Sequence, residues 1–318
     1  MVNEIDDLFN GNLDNKMSFL NEPTKSNTDG IYRVDLSKAK DKKKGYRSVI
    51  RFLPNLTKEG KVAESALEKI SHYVDIKQMK ELSGFFDSPK NFGERCALSD
   101  LYYQLMNSKN AILQERAKML KYSRKYYSYV LILEDEQQPD LVGKIMVFQY
   151  GKTIKDKIQA EKNGDISGVP ANIFDLANGK DFVLMVKEIS TGDETYPDYK
   201  MSTFKPETSS IQIYNKDRGF KHAPTQDGKI DPKAHSIIKD FLMDRAHELE
   251  DFGPKKLDDS QQNKVNEIIN FMTGKSSSSY QSETKQPSSN DFDFEESLTG
   301  ETKKTESSDD DDFFSDFK

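Results

Sequence analysis

The 318 residues carry 47 Lys and Arg against 54 Asp and Glu, a formal net charge of −7, and only 35% are apolar. With a mean hydropathy of −0.80, the chain is long enough to bury a substantial core but too polar for all of it to pack. The lone cysteine, Cys96, excludes an internal disulfide framework, no run approaches the ~20 apolar residues of a membrane span, and residues 1–10 lack the features of a signal peptide; a soluble, intracellular protein is expected.

Residues 1–30 are polar, punctuated by Asn, Gly and Pro, and read as a flexible arm with a short amphipathic turn around Ile5, Leu8 and Phe9. Five strands bounded by turn residues follow, at 48–53, 127–133, 144–150, 181–189 and 210–214. The insertion between the first two, 57–122, is too long for a plain loop, and Ala66, Ile70, Leu101, Leu105, Ile112 and Leu113 predict helices in it. Between the third and fourth strands, 152–162 sets Ile154 and Ile158 one turn apart among charges, as in a short helix with one buried face. Two helices are predicted further on. Asp231 caps the first, with Pro232 in its first turn and Ile237, Ile238, Phe241, Leu242 and Leu249 on one stripe; Ser260 caps the second, which carries Val265, Ile268, Ile269 and Met272 and stops at Gly274. The expected division is an arm at 1–30, a core at 31–215, a helical part at 216–274 and a disordered, low-complexity tail at 275–318.

The net charge conceals an asymmetry. Residues 276–318 hold 12 acids and 4 bases, residues 1–275 hold 42 acids and 43 bases, and residues 31–160 hold 25 bases and 16 acids. An acidic tail on a body with a basic middle points to an electrostatic partner, to a tail that competes with one, or simply to a solubilising tail.

No catalytic signature is complete. Gly151-Lys152-Thr153 has Met146 where a phosphate-binding loop needs its earlier glycine, His247-Glu248 lacks a second histidine four residues after the first, and the four histidines are dispersed. Aromatic residues interleaved with bases stand out instead. Lys121, Arg124 and Lys125 alternate with Tyr122, Tyr126, Tyr127 and Tyr129, and strand alternation puts Tyr126 and Ser128 on one side and Tyr127, Tyr129 and Leu131 on the other. Phe148 and Tyr150 share a face ahead of Lys152, and Tyr196 and Tyr199 flank Pro197. Rings beside cations suit unpaired nucleic acid, whose bases stack while Lys and Arg neutralise phosphates; half-buried barrel tyrosines are the structural alternative. Arg51 is either a paired sheet arginine or a phosphate contact, and Lys38 to Arg47 is a basic approach to the first strand.

Five strands with a helix between the third and fourth follow the order of an OB-fold, which commonly binds single strands. The expected class is α+β: a five-stranded OB-fold barrel with a helical insertion after the first strand, C-terminal helices and an acidic tail. The segments 49–54, 121–127, 143–158 and 181–184, with Tyr196, Tyr199 and the Phe-punctuated 307–318, resemble the single-stranded DNA-binding, helix-destabilising proteins of T-even-like bacteriophages. The resemblance implies a non-enzymatic protein that coats single-stranded DNA during phage replication, recombination and repair in the cytoplasm of the infected bacterium. Its contacts would be Arg51, Lys121, Arg124, Lys125, Lys144 and Lys152 for phosphates, and Tyr126, Tyr127, Phe148, Tyr196 and Tyr199 for bases. Asp309, Asp310, Asp311, Asp312, Phe313, Phe314 and Phe317 of the tail would recruit phage replication proteins and compete for the DNA cleft. A virion or scaffold protein docking through its tail is the alternative.

Two departures from the family qualify the resemblance. The family's insertion holds zinc on one histidine and three cysteines; here His72 and Cys96 match, but Phe85 and Ser99 stand where two cysteines would be, so no metal and no cofactor are expected. The family's basic arm docks on the next protomer, whereas residues 1–30 hold 6 acids and 2 bases, so self-association along DNA would rest on Lys38 to Arg47 or on Leu8, Phe9, Phe19 and Leu20.

Overall fold

A two-residue strand, Ile31–Tyr32 (β1), opens the part of the chain that the computed structural model describes, residues 30–36, 45–165, 168–191 and 194–274. Gly45, at φ +80°, turns the backbone into Tyr46–Phe52 (β2), and a small hairpin of Asn55–Leu56 (β3) and Val62–Ala63 (β4) follows. The insertion then forms Leu67–Val74 (β5), Gly84–Asp87 (β6) and two helices, Ala97–Met106 (α1) and Ala111–Lys118 (α2). Next come Tyr122–Asp135 (β7), Ile145–Tyr150 (β8), Lys152–Asn163 (α3), Gly179–Thr191 (β9), Glu194–Asp198 (β10) and Thr203–Ser209 (β11). Two minor hairpins lead to His235–Met243 (α4) and Asp259–Thr273 (α5).

One nine-stranded sheet organises this α+β body, with the neighbours β8-β7-β2-β9-β11 at its centre, all antiparallel. Among the described residues no pairing returns from β11 to β8, so the ladder is open there and the expected closed barrel is not established by strand pairing. Two expectations are corrected. The fifth central strand is β11, not 210–214; Pro206 and a register shift between Phe204 and Thr208 break its pattern, while the more apolar 212–215 forms a separate hairpin. The insertion is half sheet: Ile70, spaced like a helical residue from Ala66, belongs to β5, which pairs with the first half of β7.

Alternation along β2, β7, β8 and β9 feeds two cores, one on each face. The first gathers Tyr46, Ile50, Phe52, Val130, Ile132, Phe148, Tyr150, Phe182, Leu184 and Phe204, closed by Ile154 of α3; the Phe52 ring lies 5.8–6.3 Å from those of Phe148, Tyr150, Phe174, Phe182 and Phe204. The second takes Val49, Leu53, Tyr127, Tyr129, Leu131 and Val147 and is covered by Ile238 and Leu242 of α4 with Leu249 and Phe252. A third core lies within the insertion, where Val74, Leu82, Phe86, Leu101 and Leu105 pack with Val265, Ile268 and Met272 of α5. Asp231 accepts from the Lys233 N–H and caps the short turn Pro232–Ala234 that leads into α4 rather than α4 itself, and α5 is capped by Asp258 through a capping box with Gln261, two residues before Ser260.

Candidate nucleic-acid interface

The first half of β7 leaves the cover of β2 and pairs with β5, Tyr122 opposite His72 and Tyr126 opposite Glu68. Tyr122, Arg124 and Tyr126 share one face of the strand. Arg124 is exposed and pairs with Glu68 at 3.0 Å, while Tyr126 is half-buried. Across the ladder Tyr126 stacks on Tyr150, centroids 5.7 Å apart and planes 22° from parallel, and Tyr150 stacks on Phe148 at 5.7 Å and 26°. Three near-parallel rings thus run from the core to the surface, with Tyr126 outermost. Ser128 and Tyr150 share a hydroxyl hydrogen bond of 3.0 Å that fixes the middle ring. Burial, then the charge of Glu68, raises the Tyr126 phenol's pKa, keeping the ring neutral.

Gly151 ends β8, and α3 begins at once with exposed Lys152. Lys157 of α3 donates to the Lys200 carbonyl at 3.1 Å, holding the helix beside half-buried Tyr199, while Asp156 adds its charge to that of Glu68 around Tyr126. From behind, buried Glu161 of α3 pairs with buried Lys180 of β9 at 2.7 Å, so the helix is anchored to the sheet.

Arg124 and Tyr126 thus share one face of β7, Lys152 opens the helix that follows Tyr150, and Tyr199 precedes the Lys200 carbonyl that Lys157 of that helix holds. The other candidates do not present themselves there. Arg51 is 2% exposed and donates to Asp181, to the Ser209 hydroxyl and to the Asp175 and Ser209 carbonyls; its guanidinium is spent inside the sheet, and burial, offset by Asp181, lowers its pKa. Tyr127 faces the second core, stacked on Phe252, and Lys125 is buried on that same side of β7. Phe148 supports the column from within, and Tyr196 is buried opposite Ile189. Lys144 is exposed but lies beyond the Leu131–Ile145 pair, about 20 Å along the hairpin from Tyr126. The tail residues, the arm and Lys38 to Lys44 lie outside the described residues. Glu68 escaped the sequence reading, because only the cross-strand register places it opposite Tyr126.

The residues at the family's zinc positions do not fit the metal. His72 Nδ1 donates to the Leu120 carbonyl at 2.7 Å, and Nε2 faces Cys96 Sγ at 3.4 Å and Ser99 Oγ at 3.3 Å. Phe85 points outward, 59% exposed, so of the four matching positions only His72 and Cys96 offer an imidazole and a thiol. Among the described residues no group of three or more His, Cys, Asp or Glu side chains could hold a metal ion.

The sequence model of the family described as "gp32 DNA binding protein like" matches residues 44–272. Over 164 residues, 48% of this chain, the sequence is 28% identical to the single-stranded DNA-binding protein of Enterobacteria phage T2, covering 49% of that protein. The single-stranded DNA-binding protein of Enterobacteria phage T4 is likewise 28% identical over 164 residues, 48% of this chain and 50% of that protein. The chain spans about half the length of these curated relatives.

Proposed function

Because the chain belongs to the gp32 DNA binding protein like family, we propose that it binds single-stranded DNA without sequence preference and without catalysing a reaction, coating unpaired strands in phage DNA replication, recombination and repair within the infected cell. The observation that carries this reading is the ring column ending at Tyr126 beside Arg124. A base laid on Tyr126 extends a stack already three rings deep, and stacking accepts any base because each has a π-face. Arg124, Lys152 and Lys121 supply phosphate contacts, and Tyr199 supplies a second ring across α3. Arg51, Tyr127, Phe148 and Tyr196 serve as the scaffold that fixes these groups. The strand neighbours β8-β7-β2-β9-β11 support an OB-fold, whose open face is a usual site for single strands.

Binding only the unpaired form destabilises duplex by mass action, with no nucleotide cofactor. The acidic tail is proposed to recruit replication proteins and to compete for the same face, and self-association along the strand is proposed to draw on the arm. The family match points to DNA binding rather than to the virion or scaffold alternative. With 14 tyrosines and no tryptophan, intrinsic fluorescence reports the interface directly. Unpaired oligonucleotide is expected to quench it and salt to restore it, with duplex of equal length ineffective; equal quenching by duplex contradicts the reading. Removing residues 291–318 is expected to raise affinity, and unchanged binding removes tail competition.

A further inference from the structure

A cavity of about 150 Å³ lies where β8 meets the connector after α4, residues 244–248. Tyr129, Ile145 and Val147 form its apolar floor, on the opposite face of the sheet from Tyr126. Its polar rim is cationic: Lys144 from the turn before β8, with Arg245 and His247 from the connector. Lys144 is exposed, and its ammonium pairs with no acid among the described residues. The Arg245 side chain is 2% exposed, its guanidinium 4.6 Å from the Tyr129 ring centre. Its Nη2 donates to the Leu56 carbonyl and to Glu248, while Nε is buried with no acceptor among the described residues. The Tyr129 hydroxyl donates to the His247 carbonyl at 2.8 Å and so fixes the connector. The His247 imidazole packs so closely on Gly30 that a Cβ there would lie 2.0 Å from its Cδ2, and neither ring nitrogen is hydrogen-bonded among the described residues.

We infer that this cavity binds a small phosphate-type oxyanion, held by Arg245, Lys144 and His247 apart from the strand bound at Tyr126. Charge carries the inference. Glu248 balances at most one of the cations, so the rim keeps positive charge over an apolar floor, where water screens little. Geometry selects the class of ligand. A guanidinium, an ammonium and an imidazole approach from two separate elements, and a tetrahedral anion has an oxygen for each, whereas a carboxylate has only two. The unpartnered Nε of Arg245 is a buried donor of the kind that such an oxygen satisfies. Bound there, the anion ties the turn before β8 to the connector and braces the C-terminal helices against the sheet.

The test titrates inorganic phosphate into the full chain by calorimetry at constant ionic strength, in the parent and in Lys144→Gln, His247→Phe and Asp29→Asn, with thermal melting to confirm folding. The parent is expected to take up one phosphate and to melt at a higher temperature with it. Lys144→Gln and His247→Phe are each expected to bind it about 10-fold more weakly, and Asp29→Asn as the parent does. A saturating 12-nucleotide oligothymidylate is expected to leave phosphate uptake unchanged. Unchanged affinity in either rim variant, or no uptake by any form, overturns the inference. So does displacement of phosphate by the oligonucleotide, which would make the cavity part of the strand's path. Uptake confined to Asp29→Asn overturns it too, since the acid next to Gly30 would then be the occupant.

Discussion

The two halves of β7 use the same residue types to opposite ends. In residues 122–126 the strand offers Arg124 and part of Tyr126 to solvent; in residues 127–135 Tyr127 and Tyr129 are 8% and 2% exposed, between the sheet and the α4 side of the molecule. Arg51, on β2 opposite Leu131, belongs with the buried half as clearly as Arg124 belongs with the exposed one. Ring and cation content selects candidates, but cover decides which of them can touch a ligand. That cover comes from Phe252, Leu242 and Leu249, more than a hundred residues downstream.

The largest expected effect breaks the buried half. Arg51→Met strands Asp181, whose remaining ion pair is with half-buried Lys205 at 3.2 Å, and is expected to cost about 3–5 kcal/mol by urea unfolding. DNA affinity of the folded fraction should be unchanged; a selective loss of affinity would return Arg51 to the interface. Alkaline pH probes the same half. Burial pushes the Tyr127 phenol up to about 12 from 10.0, so the folded state holds its proton where the unfolded chain releases it. That stability is complete below pH 10 and is lost as pH rises towards 12, about 3 kcal/mol in all. Unfolding followed across that range should soften in Tyr127→Phe.

In the exposed half the order reverses. Tyr126→Ala is expected to lower affinity by about 1–3 kcal/mol while changing the melting temperature far less than Tyr127→Ala does. Glu68→Gln is expected to raise affinity a few-fold, because a phosphate must displace the Glu68 carboxylate from Arg124 in the parent, and pairs this exposed are worth only about 0.2–1 kcal/mol. Weaker binding in Glu68→Gln would mean that the pair orients Arg124 rather than occupying it.

Much of this was legible in the chain itself. Alternation put Tyr126 and Tyr127 on opposite faces, and the order of the first four central strands and α3 followed from apolar runs and turn residues. Three things were not legible. The β11 pattern is interrupted by Pro206, the spacing of Ala66 and Ile70 mimics a helix, and Phe148 looks like a surface ring until Tyr126 and Tyr150 are seen stacked in front of it. Each is a case of tertiary pairing overriding a local signal.

The smallest expected effect, none at all, is that of a chelator on what holds the exposed half in place. Residues 122–127 pair with β5, so their position depends on the insertion's core. In that core His72 is tied to Leu120 through one ring nitrogen and to Cys96 and Ser99 through the other, and Ser88, Ser99 and His72 are buried. Burial alone would push the Cys96 thiol up, but hydrogen bonds from His72, Ser88 and Ser99 bring it down to about 6. Polar contacts and the apolar packing of Phe86, Leu98 and Leu101 against α5 therefore occupy the place of a metal centre. A chelator is expected to leave both the melting temperature and the Tyr126-dependent affinity where they are, whereas Met272→Ala at the α5 contact should lower the first by removing about 2–5 kcal/mol of core packing. Loss of affinity on chelation would show that the exposed half of β7 is held by an ion rather than by side chains.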